Sequence, residues 1–354
     1  MNAPFPLSSE QVSLVDLRDP GEVARIEGFV AELDGTAFHR PAWLRAVERG
    51  TGQRALGLVA EKCGILTGWL PLTEVHSPLF GRALVSSGFA VAGGPLAETE
   101  KTSRALCRLA AELAARNTCA SVELRGGDAP PDWAVTRDKH CGFAADLADT
   151  DEAQLLAIPR KQRAEVRKSL ELDLAVSVGT SEEDRAAHYS VYAQSVRNLG
   201  TPVFPRSLFD AVLDQFGDQA DILTVRYQGV PVASVLSLYH GGAVMPYWGG
   251  GTFSARALRA NERMYYELML HARRRGYDRF DFGRSKNGSG PYSYKKNWGF
   301  VPEPLSYASW TAPGLRPRNI DPTSDTYSAR IELWKKLPLP LANLLGPPIA
   351  RGLA

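Results

Sequence analysis

One order of elements occurs twice along these 354 residues. Two helical stretches, about three strands, a glycine-rich bend, a long helix and another strand form the first series. The same series then begins again. In the first, 21–33 and 40–49 read as helices, the second with Pro41 in its opening turn, where a missing N–H costs nothing. Strand-like runs follow at 54–60, 65–72 and 82–85, with a bend at 88–95. An amphipathic helix at 99–117 places Leu106, Leu109, Ala110 and Leu113 on one face. Strands at 119–124 and 142–147 complete the series.

The second series has helices at 182–197 and 205–216 and strands at 221–227, 232–239 and 243–248. Gly249, Gly250 and Gly251 are expected to break the pattern before a helix at 258–275, which Gly276 closes as the C′ residue. A strand at 278–282, a short helix or turn at 291–298 and a strand at 304–308 follow. Between the series lie a short helix at 151–158, a basic helix at 160–172 and a strand at 175–178. No residue-level repeat accompanies the repeated order, so one fold used twice is the economical reading. The fold class is α/β (α+β), with mixed sheets flanked by helices. The expected division is a first domain at 1–150, a linking helix and strand at 151–179, a second domain at 180–312 and a Pro-rich tail at 313–354. Four prolines in the final stretch, 334–354, argue against a long helix there. That stretch reads as packed on the body, with a membrane surface as the alternative.

Hydrophobic residues at 44% and charged residues at 23% suit a water-exposed globular chain large enough for a sizeable core. The N-terminus lacks the basic and apolar regions of a secretory signal, and no apolar run reaches about 18 residues. A cytoplasmic location is the expectation. Cys63, Cys107, Cys119 and Cys141 form no CxxC and read as buried small hydrophobes, so no metal site is expected. Neither a Walker A pattern nor GxSxG is present. Net charge is only +2, which counts against an RNA-binding or duplex-DNA-binding protein. Locally, 256–296 carries +7 and 160–168 carries +4, which suggests anionic ligands at particular places.

Three groups of residues suit chemistry. Trp248 ends a strand ahead of Gly249, Gly250 and Gly251, which let the backbone approach a ligand closely. Free N–H groups of the following helix, with Arg256 and Arg259, would form an anion site suited to coenzyme A phosphates or the 3′ end of a tRNA. A loose strand-to-helix connection is the alternative. Second, Asp281 and Arg284 flank a strand end, and Lys295 follows amid Tyr292, Tyr294 and Trp298. A partly desolvated lysine there would stabilise an oxyanion or a phosphate. Alternatively it is solvated and the rings are core. Third, Arg160, Arg163 and Arg167 share one helix face, able to clamp an anionic acceptor or to pair with Glu165 and Glu171. Asp281 and His240 are the candidate proton acceptors; for His240 the alternative is a polar strand-end cap.

The run Tyr294-Lys295-Lys296-Asn297-Trp298-Gly299 resembles the FKxxFG motif of FemAB-type transferases, and 280–285 resembles that family's preceding strand and turn. The basic helix 160–168 is similar to the family's Arg-rich joining segment. Within the family, similarity runs from about Phe38 onward to FemAB-like proteins associated with PEP-CTERM/exosortase systems and exopolysaccharide clusters. The resemblance implies tandem GNAT-like domains with a cleft between them and transfer of an acyl or aminoacyl group to an amine. It places Lys295 at the transfer site. It implies no permanently bound cofactor, acyl-CoA or aminoacyl-tRNA as co-substrate and an anionic sugar or peptide acceptor; peripheral contact with the inner face of the membrane is the alternative to a purely cytoplasmic location. No long coiled-coil insertion of the tRNA-using members is present, which leaves an acyl thioester open as donor. A non-catalytic binding scaffold is the rival, since a duplicated fold can lose its chemistry.

Overall fold

The computed structural model describes residues 9–316, 318 and 331–353. Ten helices named here are α1 (Pro20–Glu32), α2 (Pro41–Thr51), α3 (Glu100–Arg116), α4 (Asp151–Ala157), α5 (Arg160–Leu170), α6 (Glu182–Leu199), α7 (Arg206–Phe216), α8 (Ala260–Arg274), α9 (Gly290–Asn297) and α10 (Leu339–Ala350). Local chemistry starts several of them. Asp19 caps α1, Thr99 caps α3 and Ser289 caps α9, while Ser181 and Asp184 form a capping box on α6.

The strands are β1 (Gln11–Leu14), β2 (Arg54–Lys62), β3 (Ile65–Ser77), β4 (Gly81–Ser86), β5 (Leu96–Ala97), β6 (Ser121–Arg125), β7 (Ala134–Thr136) and β8 (His140–Asp146). They continue as β9 (Leu174–Gly179), β10 (Ala220–Tyr227), β11 (Val230–His240), β12 (Ala243–Gly251), β13 (Arg279–Asp281), β14 (Ser285–Lys286), β15 (Pro302–Pro304) and β16 (Tyr307–Thr311). One mixed sheet runs β1-β2-β3-β4-β6-β16-β7, with β5 beside β3. The other runs β14-β8-β13-β12-β11-β10-β9, with β15 beside β8. Each contains one parallel pair joined by a long helix: β4 and β6 through α3, and β12 and β13 through α8. The repeated order of elements is therefore a repeated topology.

Sheet membership crosses residue 150. The β8 strand, from the earlier part of the chain, lies antiparallel beside β13, and β16, from the end, lies antiparallel beside β6. The two exchanges occupy equivalent places. A shared core seals the halves, with Phe38, Trp43 and Phe89 packed among Phe209, Val212 and Trp248. At its edge α2 meets α7 without a spacer: a Cβ on Gly50 would stand 2.4 Å from the Leu208 Cα.

Four expectations change. Gly249, Gly250 and Gly251 do not break the strand; they pair with Val235, Ser234 and Ala233 as part of β12. Their missing side chains make room for the protein's own groups, since a Cβ on Gly250 would meet Ser195 Oγ at 2.4 Å and one on Gly251 would meet Asn261 Oδ1 at 2.7 Å. The following helix starts only at Ala260, after a 3-10 turn at Phe253–Ala255. The tail contains α10 despite its prolines. Pro340 sits in the first turn, where no donor is needed, and Pro347 and Pro348 fall in the last turns. Its buried Ala342, Gly346 and Ala350 pack on the body, with Gly346 against Val203. Cys107, Cys119 and Cys141 are buried as expected, whereas Cys63 is exposed. Among the described residues no helix is long and apolar enough to cross a membrane.

Candidate active site

The site is built on a register change. From Asp281 to Ser285 the chain follows β8 from Ala144 to Cys141, so five residues face four. The extra residue makes a bulge at Gly283 and Arg284, with Gly283 at φ +71°. Carbonyl groups there leave the ladder, and Lys295 of α9 takes them: Nζ donates to Gly283 O and to Arg284 O, each at 3.0 Å. An ammonium has three N–H groups, so one remains. Lys295 is only 9% exposed and lies 5.4 Å from the ring centroids of both Phe143 and Phe282. Burial pushes its pKa down to about 8; the Asp281 carboxylate opposes that and the Arg284 charge adds to it.

Asp281 stands at the start of the same bulge. Its Oδ1 accepts from Gly283 N at 2.8 Å. Burial raises its pKa, while the Gly283 N–H and the Lys295 charge hold it back. Carboxylate and ammonium are thus electrostatic neighbours. Beside them β12 and β13 are paired at only two positions, Ala243 with Arg279 and Val244 with Phe280. Beyond these, β12 runs on to Gly251 while β13 ends at Asp281, so the two parallel strands part at the level of Asp281.

The other expected residues divide. Tyr292, Tyr294 and Trp298 support Lys295 from within the second core: Tyr292 meets Phe143 edge-on at 5.5 Å, Tyr294 donates to Glu262 at 3.3 Å, and Trp298 lies 6.3 Å from Phe282. Trp248 is core, stacked 5.9 Å from Trp43 and meeting Phe209 edge-on at 4.7 Å. His240 is not brought to the group. Its Nε2 lies 2.7 Å from Gly35 O, and the charges acting on it are Arg40 and Glu27. A strand-end position is what separates it from Asp281.

The first turn of α8 has no side-chain cap, and Arg259 before it is held at φ +52°. Arg259 instead donates to the carbonyls of Arg256 and Ala257 and to Glu165 of α5. Glu165 also pairs with Lys168 rather than with the arginine stripe. Arg160 and Arg167 are exposed; Arg163 donates to Leu156 O at 3.1 Å. Arg256 is exposed beside the uncapped turn. Among the described residues no cluster suited to a metal ion occurs. Two surface hollows, lined by Thr99–Arg108 residues of α3 and by Val176, Ser181 and Arg226 near β9, lie apart from Lys295.

Sequence reasoning missed a further group. Arg125 ends β6, directly opposite Tyr307 in β16. Tyr307 accepts from Arg284 at 3.1 Å and donates to Val91 O at 2.8 Å. Tyr247, the bulged residue of β12, donates to Phe89 O. The signal available was Arg125-Gly126-Gly127 at a strand end, a charge followed by two glycines.

Residues 159–296 match a family model described as an acetyltransferase (GNAT) domain. The matched segment runs from α5 to Lys296 and contains the whole Asp281–Lys295 group. No curated protein matches the sequence. Among solved structures the chain is similar to FemX, at 14% identity and a TM-score of 0.64, over 85% of this chain and 97% of that one. It is similar to L-PGS from Bacillus licheniformis, at 13% identity and a TM-score of 0.54, over 95% and 97%. A tandem GNAT protein from the clavulanic acid biosynthesis pathway aligns at 12% identity and a TM-score of 0.56, over 88% and 100%. At such identities the likeness is one of fold. The fold is a tandem of GNAT-like units with mixed sheets, as expected.

Proposed function

We propose that the protein is a FemAB-like N-acyltransferase that moves an acyl or aminoacyl group from an activated donor to an amine on a peptide or saccharide acceptor. The observation that carries this reading is the buried Asp281–Lys295 group at the point where β12 and β13 part. The acceptor nitrogen attacks the donor carbonyl. The remaining N–H of Lys295 stabilises the oxygen that becomes negative. Asp281, whose proton affinity burial raises, takes the proton that the nitrogen loses. Collapse of the adduct expels a thiolate or a ribose oxygen, which leaves protonated, so donor and amine give amide and thiol or alcohol. The uncapped first turn of α8, with Arg256, receives donor phosphates. Two units, each completed by a strand from the other, form the working molecule. Exopolysaccharide or envelope synthesis next to PEP-CTERM/exosortase systems is the setting that the motif resemblance favours.

The test is ligand-induced stabilisation by acyl-CoAs and aminoacyl-tRNA analogues, followed by amide formation with simple amines. Wild type is expected to be stabilised by one donor class and to turn over, and Lys295→Ala to bind but turn over poorly. A folded wild-type protein that neither binds nor consumes any donor would overturn the reading and favour a binding scaffold.

A further inference from the structure

Arg125 and Arg284 come from different sheets and meet at the seam between the two halves. Arg125 ends β6, and its partner across the ladder, Tyr307, points to the same face. Arg284 belongs to the bulge that holds Lys295, and its Nη1 donates to the Tyr307 hydroxyl at 3.1 Å. Arg125 Nη1 donates to Ser87 O at 3.1 Å. Both side chains are half-buried, and among the described residues neither has a carboxylate partner. The acid nearest along β6, Glu123, is engaged on both oxygens by Arg318, at 3.0 and 3.2 Å. The Arg284 charge acts on Arg125 and on Lys295 alike, and burial with that charge holds Arg125 below its usual range. Each guanidinium has five N–H groups, of which one is accounted for. Two like charges in a half-buried seam, mostly without acceptors, call for an anion.

A second observation is independent of charge. The loop after β4 holds Ser87 at φ +42° and Phe89 at φ +64°, a left-handed conformation that non-glycine residues rarely adopt. Its carbonyls at Ser87, Phe89 and Val91 accept from Arg125, Tyr247 and Tyr307 in turn. A Cβ on Gly94 would stand 1.9 Å from Gly126 O, so this loop is clamped onto the residues that follow Arg125. Strain of this kind persists where surrounding contacts over-determine it, and here those contacts fix the side chains around the two arginines.

We infer that Arg125 and Arg284 form an oxyanion clamp across the seam, which binds a phosphate or carboxylate group of the amine acceptor. Assignment to the acceptor rests on the transfer reading above; binding of an anion does not. Arg284 reaches Tyr307 of the first sheet, whereas Arg256 follows β12 of the second sheet ahead of α8. The seam replaces the Arg160–Arg167 face as the place for the acceptor's charge.

The experiment titrates the full chain with inorganic phosphate and, separately, with succinate, reading arginine Nε–H resonances and thermal stability. Saturable shifts of the Arg125 and Arg284 signals are expected with one of the two anions. Phosphate alone would name a phosphorylated acceptor, and succinate alone a carboxylate-bearing one. Arg125→Gln and Arg284→Gln should each weaken binding tenfold or more, while Arg160→Gln and Arg167→Gln leave it unchanged. Arg125→Lys, which keeps the charge, serves if the glutamine variants fail to fold, and should weaken binding by losing the fork. No saturable shift with either anion, or equal affinity in the arginine variants, overturns the clamp. Anion binding without any donor binding would sink the transferase reading and leave the clamp standing.

Discussion

Lys295 Nζ lies 3.0 Å from the carbonyl oxygen of Gly283, so the ammonium completes a bulge in a strand as well as facing Asp281. Its removal therefore has two consequences. Lys295→Ala should lower single-turnover amide formation about 10²- to 10³-fold, the usual loss for one oxyanion donor. It should also reduce stability by about 1–2 kcal/mol, because two half-buried carbonyls lose their donor. Rapid-quench kinetics and urea denaturation read the two effects separately. A variant with lowered stability and unchanged turnover would leave Lys295 a structural group.

The protonation of Lys295 sets a pH dependence of known sign. Its pKa is about 8 in the folded chain against an ordinary 10.5. The cation is lost as pH rises through about 8, so transfer that depends on it should fall above that pH. Lys295→Arg should abolish the descending limb in whatever activity it retains. Stability moves the other way. Between pH 8 and 10.5 the unfolded chain binds the proton and the folded chain does not, so stability rises by about 3 kcal/mol across that window. Lys295→Gln should remove that rise in denaturation midpoints measured against pH.

Acid acts through two buried histidines, His39 and His188, and His39 is the one held by backbone partners on both ring nitrogens. Burial holds its pKa at about 4 against 6.5, and it is neutral in the fold, with Nδ1 accepting from Thr36 N and Nε2 donating to Gly94 O. Below pH 6.5 the unfolded chain gains a proton that the folded chain refuses. Stability should therefore fall between pH 6.5 and 4, by about 3 kcal/mol from this residue. A His39→Gln variant should show a shallower slope over that range; an identical slope would exclude His39 as the cause.

Contact between α2 and α7 leaves no room for a methyl group. With the Leu208 backbone at 2.4 Å from a Cβ on Gly50, Gly50→Ala should destabilise the protein by about 1–3 kcal/mol. Because each half is completed by a strand of the other, thermal scans of the variant should still show one transition, at a lowered midpoint. A single transition at the wild-type midpoint would mean that the helices shift freely.

Much of the architecture was legible in the chain. Helices α3, α6, α7 and α8 follow from apolar spacing and from capping residues such as Thr99 and Ser181, which act within a few residues. The repeated order announced a repeated topology for the same reason. Lys295 and Asp281 were singled out because aromatic and charged residues cluster between 280 and 300, a pattern that left two readings open, and because 294–299 resembles the FKxxFG motif.

Other features needed the folded molecule. Local periodicity marks β8 and β16 as strands, but only long-range pairing decides that each completes the other half's sheet. Gly249, Gly250 and Gly251 look like a break because glycine is a poor strand former. They stay in β12 because Ser195, 55 positions before Gly250, and Asn261, ten positions after Gly251, fill the space beside them. The prolines of α10 look prohibitive, but Pro340 needs no donor in the first turn, and Gly346 lets the helix pack closely on Val203. Arg125 carries only a weak local sign, the two glycines after it, since its partner Arg284 lies 159 positions away and is linked to it through Tyr307. The sequence by itself determined most of the segments that become helices and strands, α10 and the end of β12 excepted, because those preferences are set by neighbours a few residues apart. Tertiary structure alone decided which sheet each strand joined and which charges met at the seam, because those choices depend on contacts between residues that the chain keeps distant.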